Sequence, residues 1–249
     1  MRMQQLIAGA AFGAAAVLGG SAAVAQSTFS AAYYTVSPLT ADFNDLPCGP
    51  QDCGQNYTNN LTGEVTTTLL DGLPVYNTGF TGQALSDLNG NGTLAWWNGT
   101  PTSVGSVSTP INFTDGTHDL FPPNGTGSGD GAGFQTAIFT GTLDVTNPAG
   151  ANVTFNLASD DDSFLAVDNS VIAQDGGIHP LGSGVSVTQH LAEGDHAVTI
   201  FYADRHVVDA QLTFSEAVPE PATWAMMLVG FGGMGAAIRA RRKSLATTA

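Results

Sequence analysis

Three consecutive carboxylates, Asp160-Asp161-Asp162, are the side chains of this 249-residue sequence best suited to chemistry. Like charges in a row repel, and a cation or a set of backbone donors relieves them. Hard divalent cations favour oxygen-rich sites, and calcium takes about six to eight oxygen ligands. Asp160, Asp161 and Asp162 are therefore the expected metal ligands, with calcium as the cofactor. Neighbouring residues of an ordinary strand point to opposite faces. A strained or cis peptide would bring two adjacent carboxylates to one side. Two further residues belong to the candidate ligand-binding set with Asp160 and Asp161. Arg205 is the only cation between Gln26 and Val218, and it is expected to pair with the triplet, Asp204 or Asp209. His179 is placed to orient a loop, although a turn or surface role suits it as well. His118, His179, His190, His196 and His206 show no His-Glu-x-x-His spacing, and no Gly-x-Ser-x-Gly or phosphate loop is present. A glycosidase sets two carboxyls across its substrate, about 5–9.5 Å apart, which a consecutive run fits poorly. The expectation is a non-catalytic protein.

Strands must position these groups. No long 3.6-residue stripe occurs, Lys is absent from the body, and Gly, Thr, Asn and Asp are abundant. That is the pattern of an all-β, antiparallel sandwich. Val153, Phe155 and Leu157 alternate with polar residues and run straight into the triplet; Val198, Ile200 and Tyr202, then Leu212 and Phe214, repeat the pattern. Other expected strands are Tyr33–Val36, Glu64–Leu70, Ser106–Phe113, Phe134–Val145, Phe164–Val167, Val171–Gln174 and Val185–Leu191. Asp168-Asn169 and Glu193-Gly194-Asp195 are expected turns. Ser86–Gly131, rich in Asn-Gly and Pro, reads as loops decorating the sandwich. Within it Trp96-Trp97 either splits between core and surface or packs wholly inside; sugar stacking is the minor alternative.

The order Phe155-x-Leu157-x-Ser159-Asp160-Asp161-x-Ser163-x-Leu165-x-Val167-Asp168 resembles the core signature of the protective-antigen-like β-sandwich domain. Gly176-Gly177-Ile178-His179 and Tyr202-Ala203-Asp204-Arg205 extend the likeness toward its fibro-slime relatives, over about residues 134–214. The resemblance implies a jelly-roll-type sandwich. In the lectins of that superfamily an aspartate pair joined by a cis peptide holds calcium, and the ion binds sugar hydroxyls. The corresponding pair is Asp160 and Asp161; Asp162 stands where Gly is frequent, and ligands from later loops find no match here.

Both ends address the protein outward. Arg2, the apolar run Leu6–Leu18 and Ala23-Val24-Ala25 form a signal peptide over residues 1–25. The exported body is then 26–217. At the other end stand Pro219-Glu220-Pro221 and Trp224, an uncharged stretch to Ile238, and Arg239, Arg241, Arg242 and Lys243. Prolines keep the motif extended. The apolar stretch is short against the ~20 residues of a full span. The cationic stop belongs on the cytoplasmic side. Residues 218–243 resemble the PEP-CTERM sorting signal of Gram-negative bacteria, followed by a 244–249 tail. This implies an exosortase-type processing enzyme as partner, transient residence of a C-terminal helix in the inner membrane, and an end location at the cell surface or outside.

With both ends removed, every acidic residue except Glu220 stays in the body against the single Arg205. Nucleic acid and anionic lipid, which need Lys and Arg, are improbable partners. Calcium and an exopolysaccharide fit the charge, and so does simple solubility. Cys48 and Cys53 are expected to form a small-loop disulfide in the oxidising exterior. Two functions follow: a calcium-dependent, exopolysaccharide-binding surface or biofilm-matrix protein, or a purely structural matrix component whose triplet stiffens a loop. A glycoside hydrolase ranks last.

Overall fold

Alternating segments become antiparallel strands in the computed structural model of the chain, which describes residues 27–37, 39–43, 61–82, 84–115, 133–206, 210–217, 229–235 and 239. Among the described residues there are ten strands: β1 (Thr28–Val36), β2 (Ser103–Ser108), β3 (Ile111–Asp115), β4 (Phe134–Val145), β5 (Ala151–Asp160), β6 (Asp162–Val167), β7 (Ser170–Asp175), β8 (Val185–Leu191), β9 (Gly194–Ala203) and β10 (Ala210–Ala217). They form a six-stranded sheet, β2-β1-β4-β9-β6-β7, and a four-stranded sheet, β3-β10-β5-β8. The sandwich is thus two antiparallel sheets, as the alternation anticipates. Val153, Phe155 and Leu157 of β5 and Leu212 and Phe214 of β10 point inward and meet Phe139, Leu165 and Ile200. Phe29 meets Phe214 edge-on at 5.7 Å, and Tyr33 meets Phe139 likewise at 5.7 Å. Each such side chain contributes about 1.5–3 kcal/mol when it leaves water.

The six-stranded sheet is buried on both faces at β6, while β2 at its edge is largely exposed. Strand β6 has no exposed residue, and its continuous apolar run Phe164-Leu165-Ala166-Val167 is what a doubly covered strand requires. The second cover is the segment 61–98. Its Val65, Leu69, Leu85, Leu94, Trp96 and Trp97 pack on Phe134, Phe164, Val171 and Phe201. Both tryptophans are core residues, Trp96 at 2% and Trp97 at 4% exposure. The expected strand Glu64–Leu70 is corrected here: the segment makes only isolated bridges, among them Val65 with Tyr76 and Thr68 with Ser170. Left-handed residues bound it on both sides, Gly63 before it and Asp71 and Gly72 after it. Its backbone, with that of Leu61, instead caps the outer edge of β7, protecting an edge that would otherwise invite pairing. The expected strand Ser106–Phe113 is also two strands, in different sheets. Pro110 follows a cis bond from Thr109 and cannot donate to a ladder. Strand β1 begins at Thr28, earlier than the expected Tyr33.

Asp168 and Asn169 connect β6 to β7 with φ of 49° and 70°, the left-handed pair of a type I′ turn. Asp168 also accepts hydrogen bonds from the backbone of Ala197 at 3.0 Å and from His196 Nδ1 at 2.6 Å. These contacts hold the hairpin to β9. The hydrogen bond to Asp168, helped by one to the Ala192 carbonyl, raises the His196 pKa above its usual value. A raised histidine stabilises the fold below its unfolded pKa of ~6.5 and loses that effect as pH climbs through the folded value. The expected result is a Tm increment for the parent over Asp168→Asn at pH 5.5 that shrinks by pH 8. Equal increments at both pH values would count against the pairing.

Residues 229–235 are helical and exposed. Among the described residues no helix is long and apolar enough to cross a membrane. The expected disulfide Cys48–Cys53, the signal peptide, and Pro219, Glu220, Pro221, Trp224, Arg241 and Arg242 lie outside the described residues; Arg239 is in helical conformation and exposed.

Candidate functional site

The acidic triplet sits where β5 passes into β6, so one strand of each sheet contributes to it. The peptide joining Asp160 to Asp161 is cis. All three aspartates are buried, at 3%, 1% and 0% exposure. Their surroundings then differ residue by residue. Asp161 accepts backbone hydrogen bonds from His179 at 2.9 Å and Arg205 at 2.7 Å, one on each oxygen. Asp162 accepts the Gly177 N–H at 2.6 Å and the Arg205 side chain, with Nε at 2.5 Å and the guanidinium terminus at 3.3 Å. The Asp160 carbonyl accepts the Tyr202 hydroxyl at 2.7 Å.

Arg205 occupies the centre of this arrangement. Its guanidinium is fully buried, pairs with Asp162, lies 3.7 Å from Glu64, and stacks 5.0 Å from the Trp96 ring. Burial alone would lower its pKa, but Asp162 and Glu64 outweigh it and hold the group charged above its ordinary range. Burial raises the Glu64 carboxyl well above its ordinary value, and the neighbouring Asp162 adds to this while Arg205 opposes it. Burial and then Asp162 likewise raise Asp161, against Arg205 and the two backbone donors. Tyr202 is pushed up by burial and by the charges of Asp204, Asp160 and Asp161.

His179 is buried, at 1% exposure, which corrects the surface reading. Its ring lies 3.5 Å from Asp175 and 3.1 Å from the Pro180 carbonyl. Asp175 in turn accepts the Ser159 N–H at 3.2 Å. The preceding glycines are needed for this packing. A Cβ at Gly176 would collide with Glu64 Oε2, and Gly177 takes φ 96° to aim its N–H at Asp162. The four expected ligand residues, Asp160, Asp161, His179 and Arg205, are thus brought to one region, with Asp162 among them.

Glu64, Asp175, Tyr202 and Asp42 were not legible as participants. Asp42 is buried and accepts hydrogen bonds from Ser86 at 2.8 Å, Asp87 at 3.1 Å and Trp96 Nε1 at 2.9 Å. It thereby fixes the ring on which Arg205 stacks. No local spacing marks Asp42 or Glu64. The lone body cation signals that some carboxylate must meet it, without saying that one comes from residue 64.

The oxygen donors suit calcium in chemistry and in charge. Glu64, Asp160, Asp161, Asp162, Asp175 and Asp204 are buried carboxyls, and Arg205 is the one permanent cation among them. Asp160 and Asp161 would hold the ion. Asp162 is committed to Arg205. Among the described residues no three His, Cys, Asp or Glu side chains converge to hold an ion by themselves. Backbone carbonyls, water or ligand oxygens would have to complete the shell.

No curated protein matches the chain significantly. Among solved structures, the chain is similar to a PA14 sugar-binding domain from an RTX adhesin, at 16% identity and TM-score 0.35, covering 79% of this chain and 91% of that one. It is similar to the PA14 domain of an antifreeze protein at 11% identity and TM-score 0.36, covering 76% and 79%. A GH31 alpha-xylosidase from Xanthomonas citri gives 18% identity and TM-score 0.38, over 51% of this chain and only 13% of the enzyme. Residues 217–243 match the PEP-CTERM protein-sorting motif. The chain therefore carries a PEP-CTERM sorting signal, which marks it as an exported surface protein processed at its C-terminus, as in Gram-negative bacteria.

Proposed function

We propose that the exported sandwich is a non-catalytic, calcium-dependent binder of extracellular polysaccharide, related to the protective-antigen-like and fibro-slime domains. Asp160 and Asp161 supply the metal-binding carboxylates, and exosortase-type processing delivers the body to the surface or the surrounding matrix. The observation that carries the reading is the excess of buried carboxyls over cations around Asp160 and Asp161. A divalent ion neutralises such an excess and can share its remaining positions with sugar hydroxyls.

Extracellular calcium modules bind at about 10⁻⁴–10⁻³ M. At ten millimolar calcium, mass action then stabilises the body by about 1.4–2.7 kcal/mol, or about 3–10 °C in Tm. Asp161→Asn should abolish most of that increment, whatever it does to the baseline. Asp168→Asn should keep it, since Asn serves the turn as well as Asp. Equal calcium increments in the parent and Asp161→Asn would sink the metal site.

A second reading has its own support. Asp161 and Asp162 accept backbone N–H groups from residues 177, 179 and 205, which is what a buried structural clamp does. In that case the protein is a structural matrix component without a ligand. Glycan-array binding with and without chelator separates the two: calcium-dependent binding supports the first, and no glycan binding with full stability in chelator supports the second.

A further inference from the structure

The outward face of the four-stranded sheet carries a groove of about 260 Å³ between β3, β10 and β5. Its polar lining is Asn112, Asn156, Thr213, Ser215 and Ser183. The strand register explains why these meet. Asn112 lies opposite Thr213, and Asn156 lies opposite Ser215. All four are outward residues of strands whose alternate positions fill the core. Ala158, opposite Thr213, puts only a methyl group on the floor. The loop at Gly184 forms a wall against it: with φ 64°, this glycine packs so tightly on Leu157 and Ala158 that a Cβ would collide with both. The face continues onto β8, where Ser186 lies opposite Asn156, and Thr188 pairs with Thr154 through their hydroxyls at 2.8 Å.

No charged side chain lines the groove, although the chain has a net charge of −15. Amides and hydroxyls both donate and accept, and so match vicinal hydroxyl groups. An uncharged lining imposes no ionic desolvation cost on such a ligand. Anionic polymers are repelled by the surrounding field. Outward side chains recur about every 7 Å along a strand and 4.8 Å between strands, a spacing that suits a repeating ligand more than a compact one. We infer that this groove is a metal-independent binding site for a neutral polysaccharide, separate from Asp160 and Asp161. The inference takes its ligand class, but none of its residues, from the carbohydrate reading above.

The test uses immobilised neutral gluco-, galacto- and manno-oligosaccharides, with polygalacturonate as the anionic control. The processed protein is compared with Asn112→Ala/Asn156→Ala and with Asp161→Asn, in calcium and in chelator. The groove requires neutral-oligomer binding that survives the chelator and Asp161→Asn. It also requires that the double variant weaken this binding about tenfold, equivalent to about 1.4 kcal/mol, with its melting transition retained. Polygalacturonate should bind no better than a blank surface. Binding lost with chelator and Asp161→Asn yet unchanged in the double variant leaves the calcium site standing and overturns the groove. No neutral-oligomer binding at all also overturns it. So does self-association of the parent that the double variant abolishes, which assigns the face to a second copy of the chain.

Discussion

Arg205→Met should cost about 3–5 kcal/mol of stability, a large part of the ~5–15 kcal/mol that holds a domain together. The variant keeps much of the volume of the side chain but removes its charge. Asp162 loses the Nε contact at 2.5 Å, Glu64 loses its cation at 3.7 Å, and Trp96 loses the guanidinium over its ring. None of these groups can reach water, because Glu64, Asp162 and Trp96 are each at most 2% exposed. The penalty is therefore that of carboxyls left buried without their counter-charge, and it exceeds the net worth of the ion pair. Converting Glu64 to Gln and Asp162 to Asn in the same chain should recover much of the loss, since the uncompensated charge then disappears. Urea midpoints of the single and triple variants, with m-values to confirm two-state unfolding, measure this. A single variant within 1 kcal/mol of the parent would show that the network is not what joins the outer layer to the sandwich.

The same network shows which features a single sequence displays and which it hides. Strand parity was readable wherever one face is buried and the other is wet. Strand β10 alternates buried and half-buried residues along its whole length, and β5 alternates buried with less buried residues as far as Leu157. Parity fails where both faces are covered. Packing of both Trp96 and Trp97 inside was among the expected readings and is what occurs, but the layer that encloses them makes only isolated bridges and could not be placed from local pattern. Glu64–Leu70 carries strand-forming residues, yet the left-handed turns that flank it, at Gly63 before it and Asp71-Gly72 after it, leave it as a cap on the edge of β7. Pro110 was visible in the sequence, and its missing donor is the physical reason that Ser106–Phe113 divides.

The acidic residues were legible as a group and not as individuals. Their crowding and the single available cation follow from composition. Their division of labour does not. Asp162 serves Arg205, Asp161 serves two backbone donors, and Asp168 serves a turn and His196. Each assignment depends on contacts made across 18 to 44 residues of chain or more. Glu64 reaches Arg205 from the segment that covers the six-stranded sheet, and only tertiary packing places it there.

Replacing Pro219, Glu220 and Pro221 together with alanine should leave nearly all of the protein uncleaved in the inner membrane. This short segment lies within the match to the sorting motif over residues 217–243. Prolines fix φ and remove backbone donors, which favours an extended form accessible to a processing enzyme. Alanine restores the donors and favours helix, so the variant segment loses that preference for an extended form. The rest of the tail keeps its physics. The uncharged run from Trp224 to Ile238 should still enter the bilayer in the variant, and Arg239, Arg241, Arg242 and Lys243 should still favour the cytoplasmic side. Insertion therefore continues while release stops. Membrane fractionation with intact mass of the exported material reads both at once. The parent should appear outside, shortened near residues 219–221, and the variant should remain in the membrane fraction at full tail length. Removing the four basic residues instead should weaken retention without restoring cleavage, because they anchor the tail and are not the motif. Export and trimming of the triple-alanine variant to the parent's mass would overturn the assignment of these three residues as the cleavage signal.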